Sequence, residues 1–171
     1  MSGSREITRM RAELDHAVRG NPWHGSPLAK LLEGVTPAEA HAHPVAGAHS
    51  IWELVRHVSA WTQEASQRLR GGVPALPAIG NFPPAPATPD AAGWAAALDE
   101  LTASHEDFLA ALDALDPAAL EATPIPTRDP AHGIGVKHRV LVHGLAQHHA
   151  YHGGQIALLR KARAAGTASR R

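Results

Sequence analysis

Lys137-His-Arg-Val-Leu-Val-His-Gly-Leu-Ala-Gln-His-His-Ala-Tyr-His-Gly-Gly-Gln-Ile-Ala-Leu-Leu-Arg-Lys-Ala-Arg-Ala164 puts Leu141, Leu145, Ile156 and Leu159 at helical spacing. Apolar residues recurring every three or four positions mark one buried face of a long helix. His148 and His152 continue that stripe. The same face therefore presents two imidazoles at i, i+4, the arrangement by which two histidines share one metal ion.

Three other stretches carry the same periodicity. Arg5 to Arg19 has Ile7, Met10, Leu14 and Val18 on one face and stops at Gly20-Asn-Pro22. Ile51 to about Arg70 lines up Leu54, Val58, Trp61, Ala65 and Leu69; Asp90 to Leu115 lines up Trp94, Leu98, Leu101, Phe108 and Leu112. Start signals agree with these spans. Thr36-x-x-Glu39 and Ser50-x-x-Glu53 fit capping boxes. Ser26-Pro27, Thr36-Pro37, Thr88-Pro89 and Asp116-Pro117 place proline at a first helical position. Short helices are expected over Pro27–Glu33 and Pro37–His41. Four long amphipathic helices sharing a core predict an all-α four-helix bundle, one domain over residues 1–165 with a disordered basic tail at 166–171.

Composition narrows the function. The 171 residues carry 16 basic and 16 acidic side chains, so no basic surface calls for nucleic acid. Cysteine is absent, which excludes disulfides, zinc–thiolate sites, iron–sulfur clusters and a protein thiol nucleophile. Any thiol chemistry needs an external thiol. Met-Ser-Gly-Ser-Arg-Glu at the start lacks an apolar signal segment, and no run reaches transmembrane length. A cytoplasmic protein without a membrane partner is expected. Between the second and third long helices, Gly71–Asp90 contains six prolines and no strand alternation. Such a loop is either a cover for a site or a plain connector.

The histidines are weighed one by one. His57 lies in Ile51-Trp-Glu-Leu-Val-Arg-His-Val-Ser-Ala-Trp61, again on an apolar stripe. An imidazole pointing into a core must find a partner, because a buried unsatisfied polar group is costly. A single such residue reads best as a satisfied core histidine. Three together, two of them at i, i+4, read best as metal ligands: His57, His148 and His152. Three neutral nitrogens would leave a coordination position open. Glu13-x-x-His16 is half of a di-iron pattern whose second half is missing, and His105-Glu106 has Leu109 where a zinc-protease helix needs histidine. His105 reads as a core histidine before it reads as a fourth ligand. His149 leaves the helix about 100° from His148. His41, His43, His132 and His138 fall in or beside loops and are expected to be solvated, and Gly133-Ile-Gly135 lacks the context of a dinucleotide loop. His49 stands roughly 12 Å along the helix axis from His57, too far to share its ion but able to face a pocket mouth. Glu53 is one turn from His57. Trp23-His24 forms a turn that either lines a pocket or packs across the bundle end. Trp61 and Tyr151 are candidates to shape the pocket. Gln155, one turn beyond His152, either orients a ligand or packs between helices.

Ser50-Ile-Trp-Glu-Leu-Val-Arg-His57 and His148-His-Ala-Tyr-His152-Gly-Gly-Gln155-Ile-Ala-Leu-Leu-Arg160 resemble the DinB/YfiT-like family, as do Trp23-His-Gly-Ser-Pro-Leu28 and Gly34-Val-Thr-Pro-Ala-Glu-Ala40. The resemblance covers most of the chain in the right order. It implies a four-helix bundle whose three-histidine site holds a divalent metal ion, zinc or nickel, and it implies a homodimer. It also implies the leading functional expectation, a metal-dependent transferase using a low-molecular-weight thiol. The alternatives are a non-enzymatic metal-binding bundle of the stress response and, third, a metal-dependent hydrolase for which Glu53 is the only nearby carboxylate base.

Overall fold

Two capping boxes start the helix that carries His57 and the short helix before it. Ser50 accepts a hydrogen bond from the Glu53 amide while the Glu53 carboxylate accepts one from the Ser50 amide, and Thr36 with Glu39 repeats the arrangement. Each box satisfies amides that a helix start leaves without partners. A computed structural model describes residues 2–123 and 136–168, and among them the chain is all-α. The helices are α1 (Ser2–Val18), α2 (Leu28–Leu32), α3 (Pro37–His41), α4 (Ile51–Leu69), α5 (Ala91–Asp113) and α6 (His138–Ala168). Four are long and form the bundle: α4 packs on α5 and α6, and α1 packs on the same two helices from the other side.

The boundaries differ from the sequence reading in instructive places. α1 begins at Ser2 rather than Arg5, and Gly3 within it lies so close to Pro117 that a Cβ there would stand 2.7 Å from the proline Cβ. Asp116-Pro117 starts a single 3-10 turn, Pro117–Glu121, in which Asp116 accepts from the Ala118 amide. α6 runs on to Ala168, past the expected tail boundary. The expectations for His132, for Gly133-Ile-Gly135 and for residues 169–171 fall outside the described residues. His138 is not solvated as expected: it is buried at the start of α6, with its Nδ1 3.0 Å from the Ala119 carbonyl of the 3-10 turn. Trp61 is only half-buried, whereas Trp52, about two and a half turns further toward the capping box, is buried and packs on Trp94 with ring centres 5.1 Å apart.

The core is divided by a polar layer. One apolar cluster includes Val18, Leu28, Trp52, Val58, Trp94, Leu101 and Ile156; the other includes Met10, Leu14, Ala65, Phe108, Leu112 and Leu145. Between them the helices turn polar residues inward: Thr62 on α4, His105 on α5 and His149 on α6 are all buried. The His149 Nε2–H donates to the Thr62 hydroxyl at 3.1 Å, which itself donates to the Val58 carbonyl at 2.7 Å. His105 Nε2 lies 3.2 Å from the Asp15 carboxylate of α1. These contacts satisfy one ring nitrogen of each histidine, while the buried Nδ1 of each has no hydrogen-bond partner. At Gly153 α2 packs closely on α6: a Cβ there would stand in ordinary van der Waals contact with Leu31 and Leu28, at 3.4 and 3.5 Å.

Candidate metal centre

The packing of α4 on α6 brings His57, His148 and His152 together, with one ring nitrogen of each lying within 4.8 Å of the others. His57 Nε2 and His148 Nε2 are 2.9 Å apart, and His148 Nε2 and His152 Nε2 are 3.1 Å apart. The other nitrogens of the outer two rings are fixed. His57 Nδ1–H donates to the Asn81 carbonyl at 2.5 Å, and His152 Nδ1–H donates to Gln155 Oε1 at 2.6 Å. A carbonyl can only accept, so both rings carry their proton on Nδ1 and direct an Nε2 lone pair inward.

His148 Nε2 therefore faces two lone pairs at once. A proton on its Nε2 can be donated to only one of the two facing lone pairs; a proton on Nδ1 would be buried, and that atom has no partner. A cation accepting all three lone pairs removes the conflict. Zinc–nitrogen bonds of 2.0–2.1 Å in a tetrahedral set separate ligand nitrogens by about 3.3 Å, a few tenths of an ångström more than the two spacings here. The donor set fits a divalent ion.

Burial keeps the ligands ready. It pushes His57 down to about 4 and His148 down to about 3, each also disfavoured as a cation by the neighbouring imidazoles. Burial also lowers His152, against the opposing effect of its bond to Gln155. All three are neutral at physiological pH, the form in which imidazole ligates. No carboxylate joins the triad among the described residues, so a divalent ion would keep its full charge and favour an anionic group in an open position.

The Pro-rich loop takes part in the site, through two residues that sequence reasoning missed. Besides the Asn81 carbonyl on His57, the Asn81 side-chain oxygen accepts from the Trp61 Nε1–H at 2.8 Å. Phe82 is stacked between His57 and His49, with ring centres 3.9 and 3.8 Å away and planes within 10° of parallel. Arg56 and His41 hold the next turn of the loop through the carbonyls of Pro84 and Pro86. No periodicity could have revealed these contacts; the available signal was an Asn-Phe pair in a proline-rich loop following the His57 helix.

The remaining candidates separate into two groups. His49, Tyr151 and Gln155 line a cavity of about 350 Å3 together with His152. Glu53 lies 3.1 Å from His43 and 3.5 Å from His49 while capping its own helix; burial opposes its charge, but the Ser50 amide and His43 hold its carboxyl below the usual range. Trp23 is fully exposed and, with His24, lines a different groove beside Glu13, His16 and Gln147. His105 and His149 belong to the polar layer and not to the triad.

Fold and site together define an all-α bundle built around a histidine triad that fits a metal ion. The chain belongs to the DinB superfamily, whose family model matches residues 23–156. No curated protein and no solved structure gave a significant match. No helix among the described residues is long and apolar enough to cross a membrane.

Proposed function

We propose that the protein is a metal-dependent transferase that joins a low-molecular-weight thiol to an electrophile. The observation that carries the reading is the neutral three-imidazole set, which fits a divalent ion, beside a cavity that reaches His152. Zinc or nickel suits three imidazoles. A bound divalent ion supplies a Lewis-acidic position that brings the pKa of a coordinated thiol into the neutral range. The chain's own groups do the positioning. Asn81 and Gln155 hold the Nδ1 protons of His57 and His152 and so aim both Nε2 atoms, while Phe82 covers the outer face of His57 and limits water there.

The hydrolytic alternative finds less support, because Glu53, its only nearby base, is engaged with the Ser50 amide and His43. A non-enzymatic metal-binding bundle uses the same triad and predicts metal uptake without turnover. The test uses protein loaded with zinc or nickel, a panel of small thiols and 1-chloro-2,4-dinitrobenzene. In the expected reaction a sulfur–carbon bond forms, the carbon–chlorine bond breaks, chloride leaves and the thiol proton goes to solvent. Thiol loss and chloride release should match mole for mole and require metal. Equal rates in metal-free protein, or in His57→Ala, would refute the transferase reading.

A further inference from the structure

The cavity beside His152 has one-sided chemistry. Leu54, Phe82, Leu158 and Leu159 form its walls, and Val45 stands at its rim. None of its lining residues is Lys, Arg, Asp or Glu. Its polar groups are His49, Tyr151 and Gln155 beside the triad's His152, and Gln155 is already bonded to that ring. At about 350 Å3 it is at the small end of ligand sites. Val45, Tyr151 and Leu158 are exposed apolar or aromatic side chains gathered at this one opening. A ligand seated there would remove them from water, which favours an apolar body. A carboxylate-bearing or sugar-like body would instead lose hydration against walls that offer few partners.

We infer that this cavity binds a small ligand with a neutral, apolar or aromatic body whose donor atom reaches the ion held by His57, His148 and His152. The inference rests on the metal reading above and adds the substrate class. In a thiol transfer the body seated beside His152 is the apolar part of the thiol whose sulfur reaches the ion, and any charged or sugar-bearing part has to extend outside the cavity.

Two imidazoles with the same donor and different bodies test this without relying on turnover. Zinc-loaded protein is titrated calorimetrically with 4-phenylimidazole and with 4-(hydroxymethyl)imidazole at mildly alkaline pH, in the wild type and in Leu158→Asp. Leu158 is exposed, so the variant leaves the core intact. The expected result is at least a tenfold preference for 4-phenylimidazole. Leu158→Asp should weaken the phenyl compound at least fivefold and the hydroxymethyl compound less than twofold. Loaded protein that binds both compounds equally, or a preference unchanged by Leu158→Asp, overturns this inference alone. Protein that takes up no metal overturns the metal reading and this inference together.

Discussion

Replacing His149 by alanine separates the polar layer from the metal centre, because His149 is the sequence neighbour of one candidate ligand yet faces elsewhere. Its ring is buried, with Nε2–H on Thr62 and no contact to an ion position. His149→Ala opens a cavity about the size of a deleted aliphatic side chain, which costs about 2–4 kcal/mol. The lost hydrogen bond adds about 1 kcal/mol, partly offset because the buried, unpartnered Nδ1 is removed as well. Thr62 keeps its bond to the Val58 carbonyl, so no donor is stranded. For a chain of this size a loss of about 2–4 kcal/mol lowers the Tm by roughly 5–15 °C. The assay is thermal unfolding of metal-free wild type and variant, followed by metal content after reconstitution. Full metal occupancy with a markedly lower Tm is expected. An unchanged Tm with metal lost would place His149 in the ion's coordination and refute the assignment of roles.

Further outcomes follow from the same contacts. Gln155→Leu removes the acceptor that fixes the His152 ring; zinc affinity, measured by chelator competition, should fall by about 10–100-fold with the helical content unchanged. An affinity equal to wild type would mean that packing alone orients His152. His105→Gln tests the pH dependence of the polar layer. Burial lowers the pKa of His105 despite its contact with Asp15, so the unfolded chain takes up this proton first as pH falls below about 6.5. Wild-type stability should therefore decline on acidification by up to about 1.4 kcal/mol per pH unit on account of this residue, a slope that His105→Gln removes. Denaturant unfolding at several pH values reads that slope directly, and identical slopes in the two proteins would contradict the argument.

The helices were legible because the apolar period marks α1, α4, α5 and α6 and a capping box starts α4. The triad was legible for the same reason: His57, His148 and His152 continue the apolar stripes of their helices, with His57 and His152 buried and His148 half-buried, where an imidazole needs a partner. What stayed hidden depends on contacts between segments without a period. Asn81 and Phe82 sit in a loop whose path is set by Trp61, Arg56 and His41 from other elements. His138 looked solvated because the 3-10 turn that covers it comes from distant sequence. Trp23, a natural candidate for pocket lining from its residue type, faces solvent in a separate groove. The division of the core by Thr62, His105 and His149 also escaped a reading that followed each helix separately.

The most direct measurement is the elemental content of untagged protein purified without chelator, beside His152→Ala prepared the same way. Near-stoichiometric zinc or nickel in the wild type, lost in a variant that remains helical, is the result the account predicts. Full occupancy in His152→Ala, or no metal in the wild type even after reconstitution with zinc and nickel, would contradict it.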